Sequence, residues 1–123
     1  PDDTLGAALE SVRLFQAALA NGDYAAAAAL LQPDEVNQDY LADQSIDFAD
    51  LPASLEILCA SEELACLPLL EPVMLGYDLD EIVILARLQA PDGSVFSSPG
   101  GATLFYFYLT PTDPPVLITL PFD

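Results

Sequence analysis

Residues 14–24 read Leu14-Phe15-Gln16-Ala17-Ala18-Leu19-Ala20-Asn21-Gly22-Asp23-Tyr24. Two helices meet in this stretch. Upstream, Leu5, Ala8, Leu9, Val12, Phe15 and Leu19 recur at helical spacing and form one apolar stripe. Thr4 or Asp3 is placed to cap its start, and the early acids suit the positive end of the helix dipole. Asn21-Gly22 supplies the left-handed residue that ends a helix without a Cβ penalty. Asp23 follows at once as the N-cap of a second helix over 24–31, which Pro33 stops. The five alanines at 25–29 let a neighbouring element approach closely.

Beyond the hairpin, Asp34 is placed to cap a short third helix through Leu41. If that helix continued, Asp43, Asp47 and Asp50 would share a face, with Phe48 and Leu51 anchoring the connection to the core. The remainder reads as β-rich. Strands are expected over 54–60, 64–77 with a break near Pro68 or Pro72, 81–89, 102–110 and 116–120. Pro91-Asp92-Gly93-Ser94 is a turn between strands, Ser97-Ser98-Pro99-Gly100-Gly101 a longer loop, and residues 110–115 the closure of the last hairpin. Helices first and consecutive strands afterwards are the order of an α+β domain with an antiparallel sheet, here one domain over 1–123.

Two of these strands are apolar on both sides. Leu104, Tyr106 and Tyr108 alternate with Phe105, Phe107 and Leu109; Ile82, Ile84, Ala86 and Leu88 alternate with Val83, Leu85 and Arg87. A sheet with helices on one side only has a polar second face. The second face here therefore needs a cover: a loop or terminus, or a second subunit. The second option makes the chain a homodimer, with Tyr106 and Tyr108 at the interface and Arg87 stacked on one of their rings.

The two cysteines flank a turn. With 61–64 as a four-residue turn between strands, Cys59 faces Cys66 and the pair forms a disulfide across a hairpin; two buried thiols are the alternative. Two sulfurs without histidine are too few to hold a metal. A disulfide favours an oxidising compartment, extracellular or periplasmic. The start, Pro1-Asp2-Asp3-Thr4, resembles a trimmed mature terminus or the boundary of a cloned fragment, with any tether lying in a missing N-terminal segment.

Charge narrows the function. Twenty acids face two basic residues, Arg13 and Arg87, for a net charge of −18 on 123 residues without lysine or histidine. That excludes an imidazole base, a Ser-His-Asp triad and a histidine-ligated metal. Two scattered arginines make no patch for nucleic acid or an anionic membrane, and no stretch is long and apolar enough to insert into a bilayer. Hydrophobic residues make up 53% of the chain, so it folds around a core that the acids coat, unlike an acidic disordered tail. Secretion accounts for such a surface; a saline habitat is the second explanation. The hydroxyls, Ser11 and Thr110 among them, have no base to activate them. Asp78-Leu79-Asp80-Glu81 lacks the spacing and glycine of a calcium loop, and the 97–101 loop lacks the lysine and helix of a phosphate site. No metal and no cofactor is expected.

The hairpin at 14–31, the strand-turn-strand at 86–95 and the final 105–120 hairpin resemble the nuclear-transport-factor-two-like superfamily, which includes ketosteroid isomerase-like and SnoaL-like proteins. The resemblance implies a helical hairpin packed on a curved antiparallel sheet that forms a cone-shaped barrel, with a pocket between helices and sheet. Aligned without gaps on 17–23, the oxyanion tyrosine of the isomerase branch falls on Phe15, which cannot donate, and its general-base aspartate falls on Asp39. The alignment makes Phe15 and Asp39 candidate pocket residues; Tyr24, Tyr40 and Tyr77, amphipathic rings suited to a core edge, are the candidates for the pocket mouth. The leading reading is a non-catalytic domain of an exported protein that binds a small apolar ligand or a protein partner. The alternatives are a small isomerase or lyase using Asp39 as base, and a structural dimerisation domain.

Overall fold

The computed structural model describes residues 3–32, 39, 42 and 46–123. Helix α1 spans Thr4–Ala20 and buries the expected stripe of Ala8, Val12, Phe15 and Leu19. Asp3 stands at its N-cap, but its side chain makes no cap bond. Gly22 takes a φ of 75°, and the chain reverses as Asp23 N–H donates to Ala18 O at 2.8 Å. Asp23 then caps α2 (Tyr24–Ala28) by accepting from Ala26 N–H. This second helix is shorter than expected. Leu31 leaves it to bridge Leu117, and Gln32 N–H donates to Leu117 O at 2.8 Å, so the C-terminal segment captures the end of the hairpin.

Of the expected third helix, Asp39 and Ala42 take helical backbone and are exposed, while Asp34, Leu41 and Asp43 lie outside the described residues. No helix runs on through 47–50. Asp47 is extended and accepts from Ala49 N–H, starting a 3-10 turn over Phe48–Asp50. Helix α3 (Leu51–Ala60) follows, with Asp50 as its N-cap and Pro52 in its first turn. The expected strand at 54–60 is thus helix. The apolar residues explain it: Leu51, Leu55, Leu58 and Cys59 recur at i, i+4, i+7 and i+8, and Leu55 is fully buried while the other three pack against the core. A proline at a helix start meets no steric objection, and two aspartate caps precede it.

Among the described residues the sheet has three strands, β1 (Leu69–Asp78), β2 (Glu81–Leu88) and β3 (Phe105–Leu109), in the order β1-β2-β3, antiparallel throughout. It does not close into a barrel. The last expected strand, 116–120, is present only as isolated bridges from Leu117 to Leu31 and to Leu109, and Phe122 beyond it bridges Tyr106. Pro72 falls in β1, and register irregularities lie on either side of it, where a missing N–H cannot serve the ladder.

One face of the sheet holds the core. Ile82, Ile84 and Ala86 pair with Leu109, Phe107 and Phe105, and this row joins Ala8, Val12, Phe15 and Leu19 of α1. Burying each large side chain there contributes about 1.5–3 kcal/mol. Phe15, Ile82, Ile84, Phe107 and Leu117 are each at 0% exposure. Side chains therefore occupy this part of the space between α1 and the sheet.

The opposite face is covered in part by the chain's own terminus. Phe122 pairs with Tyr106 across the free edge of β3, and its ring stacks on Tyr106 at 5.4 Å and on Tyr108 at 5.8 Å. Arg87 lies on β2. Its guanidinium reaches across to the paired position on β1 and bonds Glu71 at 3.0 Å.

Candidate binding cleft

At one end of the sheet three segments diverge. The first is the loop that leaves α3. Glu62 takes a φ of 63°, a left-handed end to the helix, and Glu62 N–H donates to Cys59 O at 3.2 Å. Cys59 and Cys66 are disulfide-bonded, with Cα atoms 5.7 Å apart. The bond joins a helix end to the segment before β1 rather than two strands of a hairpin, because Cys59 belongs to α3. Gln16, at 0% exposure in α1, holds the same segment from behind. Its Nε2 donates to Ala65 O at 3.1 Å and to Leu67 O at 2.8 Å.

The second segment runs from β2 to β3. Pro91-Asp92-Gly93-Ser94 forms the expected turn: Gly93 has a φ of 88°, and Asp92 Oδ1 accepts from both the hydroxyl and the N–H of Ser94. Those two bonds, the hydroxyl first, hold the Asp92 carboxyl below its usual range. Phe96 N–H donates to Leu88 O at 2.9 Å, and Phe96 lies 5.9 Å from Phe105 ring to ring. Ser98 closes the following loop by accepting from Ala102 N–H. The third segment is the terminus, Pro121 to Asp123, positioned by the Tyr106–Phe122 pairing.

These segments enclose an open cleft of about 710 Å³. Its walls are Leu64, Leu67, Phe96, Phe105, Phe122 and the disulfide, with Pro91, Pro99 and Pro121 at the margins. Among the described residues, its charged ones are Glu62, Glu63 and Asp123, and neither arginine lines it. Ser97 and Ser98 provide hydroxyls, but both cysteines are oxidised and no lining residue can serve as an imidazole or amine base. Among the described residues, no group of three or more acids or cysteines is arranged to hold a metal ion, and no helix is long and apolar enough to cross a membrane.

Of the candidate pocket residues chosen from the sequence, Phe15, Tyr24, Asp39 and Tyr77 do not line this cleft. Phe15 is enclosed in the core, Tyr24 is half-buried against it, and Tyr77 is half-exposed on β1. Asp39 is exposed, and Tyr40 lies outside the described residues. The cleft residues that sequence reasoning missed are chiefly Phe96 and Phe122. Each stands next to a turn residue or a proline, outside any periodic run, so no pattern of two or 3.6 selects it.

Compared with known proteins, the chain matches no family model, no curated protein and no solved structure. The likeness to nuclear-transport-factor-two-like proteins therefore has only the sequence pattern behind it.

Proposed function

We propose that this is a non-catalytic binding domain of an exported protein, taking a small apolar ligand or an apolar side chain of a protein partner in the disulfide-walled cleft. One observation carries the reading. A cleft of about 710 Å³ with aromatic and aliphatic walls is of the size and character that binds small molecules, commonly about 300–1,000 Å³. The disulfide supports export. The isomerase alternative needs a base enclosed with an oxyanion donor. Asp39 is exposed and outside the cleft, and Phe15 has no donor to offer, which supports the non-catalytic reading.

Titration of the ¹⁵N-labelled protein with neutral aromatic and aliphatic compounds tests it. Amide shifts should move at Leu64, Leu67, Phe96 and Phe122, and Ser97→Trp, which places an indole at the exposed mouth, should abolish them. Shifts confined to α2 or to the surroundings of Asp39 would overturn this assignment.

A dimerisation role has one observation in its favour. The β1 strand carries half-exposed Val73, Met74 and Leu75 along the edge of the sheet, which no other strand pairs among the described residues. In this reading two copies meet through β1, rather than through Tyr106 and Tyr108, which already stack on Phe122. Sedimentation at low and moderate salt decides it. Repulsion between two strongly acidic copies weakens a dimer at low salt, and Met74→Glu should leave a monomer at both.

A further inference from the structure

Building on the binding reading above, we propose that the cleft selects organic cations: ligands with an apolar body and a positively charged head. The walls and the rim differ in character. Phe96 and Phe122 offer ring surface, Phe96 half-buried beside the buried Phe105 and Phe122 46% exposed while stacked on Tyr106 and Tyr108. The ionisable residues of the cleft are all carboxylates, Glu62, Glu63 and Asp123. Both arginines are elsewhere: Arg13 on α1, and Arg87 bonded to Glu71 on the sheet.

Two of those carboxylates are exposed side chains on a loop that is itself held in place beside the apolar wall. Glu62 and Glu63 lie inside the short loop closed by Cys59 and Cys66. Gln16 anchors the far side of that loop through Ala65 and Leu67. The left-handed backbone at Glu62 turns the chain sharply as it leaves α3, and Ser61 Oγ donates to Glu63 Oε2 at 3.0 Å. A cationic head placed at the mouth meets these carboxylates while its body lies on the phenylalanine rings, whose faces attract cations. A ligand anion finds no counter-charge in the cleft and approaches a chain of net charge −18. A cleft with low-dielectric walls lined by one sign of charge focuses that field on its mouth.

A matched series with one aromatic body tests the charge rule: 2-naphthylmethyl-trimethylammonium, 2-naphthylmethanol and 2-naphthoate, followed by amide shifts at moderate salt. The ammonium should bind at least tenfold more tightly than the alcohol, and the naphthoate should not bind. Glu62→Gln with Glu63→Gln should lower ammonium affinity about tenfold and leave the alcohol unchanged. The single Glu63→Gln variant, expected to show a smaller loss in the same direction, serves if the double variant does not fold. Asp78→Asn with Asp80→Asn, which removes the same charge at the β1–β2 turn, should leave the preference intact. Equal binding of ammonium and alcohol would overturn the charge rule and leave the apolar cleft standing. Equal loss in the Asp78/Asp80 variant would also overturn it, by assigning the preference to bulk charge. Failure of all three compounds to bind would overturn both the charge rule and the binding reading beneath it.

Discussion

Gln16 and Leu67 are joined by a hydrogen bond of 2.8 Å that ties the middle of α1 to the segment leading into β1. The same Nε2 also donates to Ala65 O, while the buried Oε1 has no partner among the described residues. A side chain with two donor sites thus satisfies two carbonyls of irregular chain that no strand reaches, and it positions the wall of the cleft. Replacing it with Gln16→Leu removes both bonds. A buried acceptor left without its donor costs about 1–3 kcal/mol, and urea unfolding should show a loss in that range. Gln16→Glu should be worse at neutral pH, since an ionised carboxylate would face two carbonyl oxygens. Burial raises its folded pKa above the unfolded value of about 4.3, so the penalty is full above the folded pKa and disappears as pH falls toward about 4.

The disulfide between Cys59 and Cys66 closes a short loop, with a sequence separation of 7. The chain-entropy treatment assigns such a loop about 2–3 kcal/mol. Intact mass should rise by about two daltons on full reduction, one hydrogen per sulfur, and Cys59→Ser with Cys66→Ser should shift the urea midpoint to match. Cleft binding should weaken in the same variant, because the loop bearing Glu62 and Glu63 loses its closure. Unchanged mass on full reduction would show the thiols to be free.

Leu79 sits at the tip of the β1–β2 hairpin at 94% exposure with a φ of 56°. It gains nothing there from burial, and a left-handed conformation costs an L-residue roughly 1–2 kcal/mol. Leu79→Asn, a residue tolerated in that region, should raise stability by about 1 kcal/mol without altering the β1–β2 register. A destabilised Asn variant would mean that the leucine side chain makes a contact in solution.

The Asp92 carboxyl is held below its ordinary value of 3.8, first by the Ser94 hydroxyl and then by the Ser94 N–H. A depressed folded pKa favours the native state above the unfolded pKa, and that contribution is lost as pH falls through the folded value. NMR titration should find Asp92 below its ordinary value of 3.8. Ser94→Ala should move it upward by removing the larger of the two bonds, with the backbone bond retaining part of the shift.

Local chemistry was legible wherever neighbours in sequence are neighbours in space. The stripe of α1, the Gly22 reversal, the Asp23 cap and the turn at Gly93 all depend on residues within a few positions of each other, and each is found as expected. The segment 54–60 was misread because a short apolar run fits a buried strand and a buried helix alike. What separates them is the wider window, in which Leu51 extends the helical spacing and Asp47 and Asp50 supply caps. The disulfide partners could be named because only two cysteines exist, yet the elements they join could not.

The cleft is of another kind. Its walls come from positions as far apart as Cys59 and Asp123, brought together by the Gln16 bonds, the Phe96–Leu88 bond and the Tyr106–Phe122 pairing. The amino-acid order alone settled the α+β class, the antiparallel β1-β2-β3 meander, the acidic balance of charge and the absence of histidine and lysine chemistry, since periodicity, turn residues and composition act locally or by count. Only the tertiary structure decided which face of the sheet the terminus covers and where an open space remains. Those outcomes depend on packing between residues distant in the chain, and no short-range pattern encodes such packing.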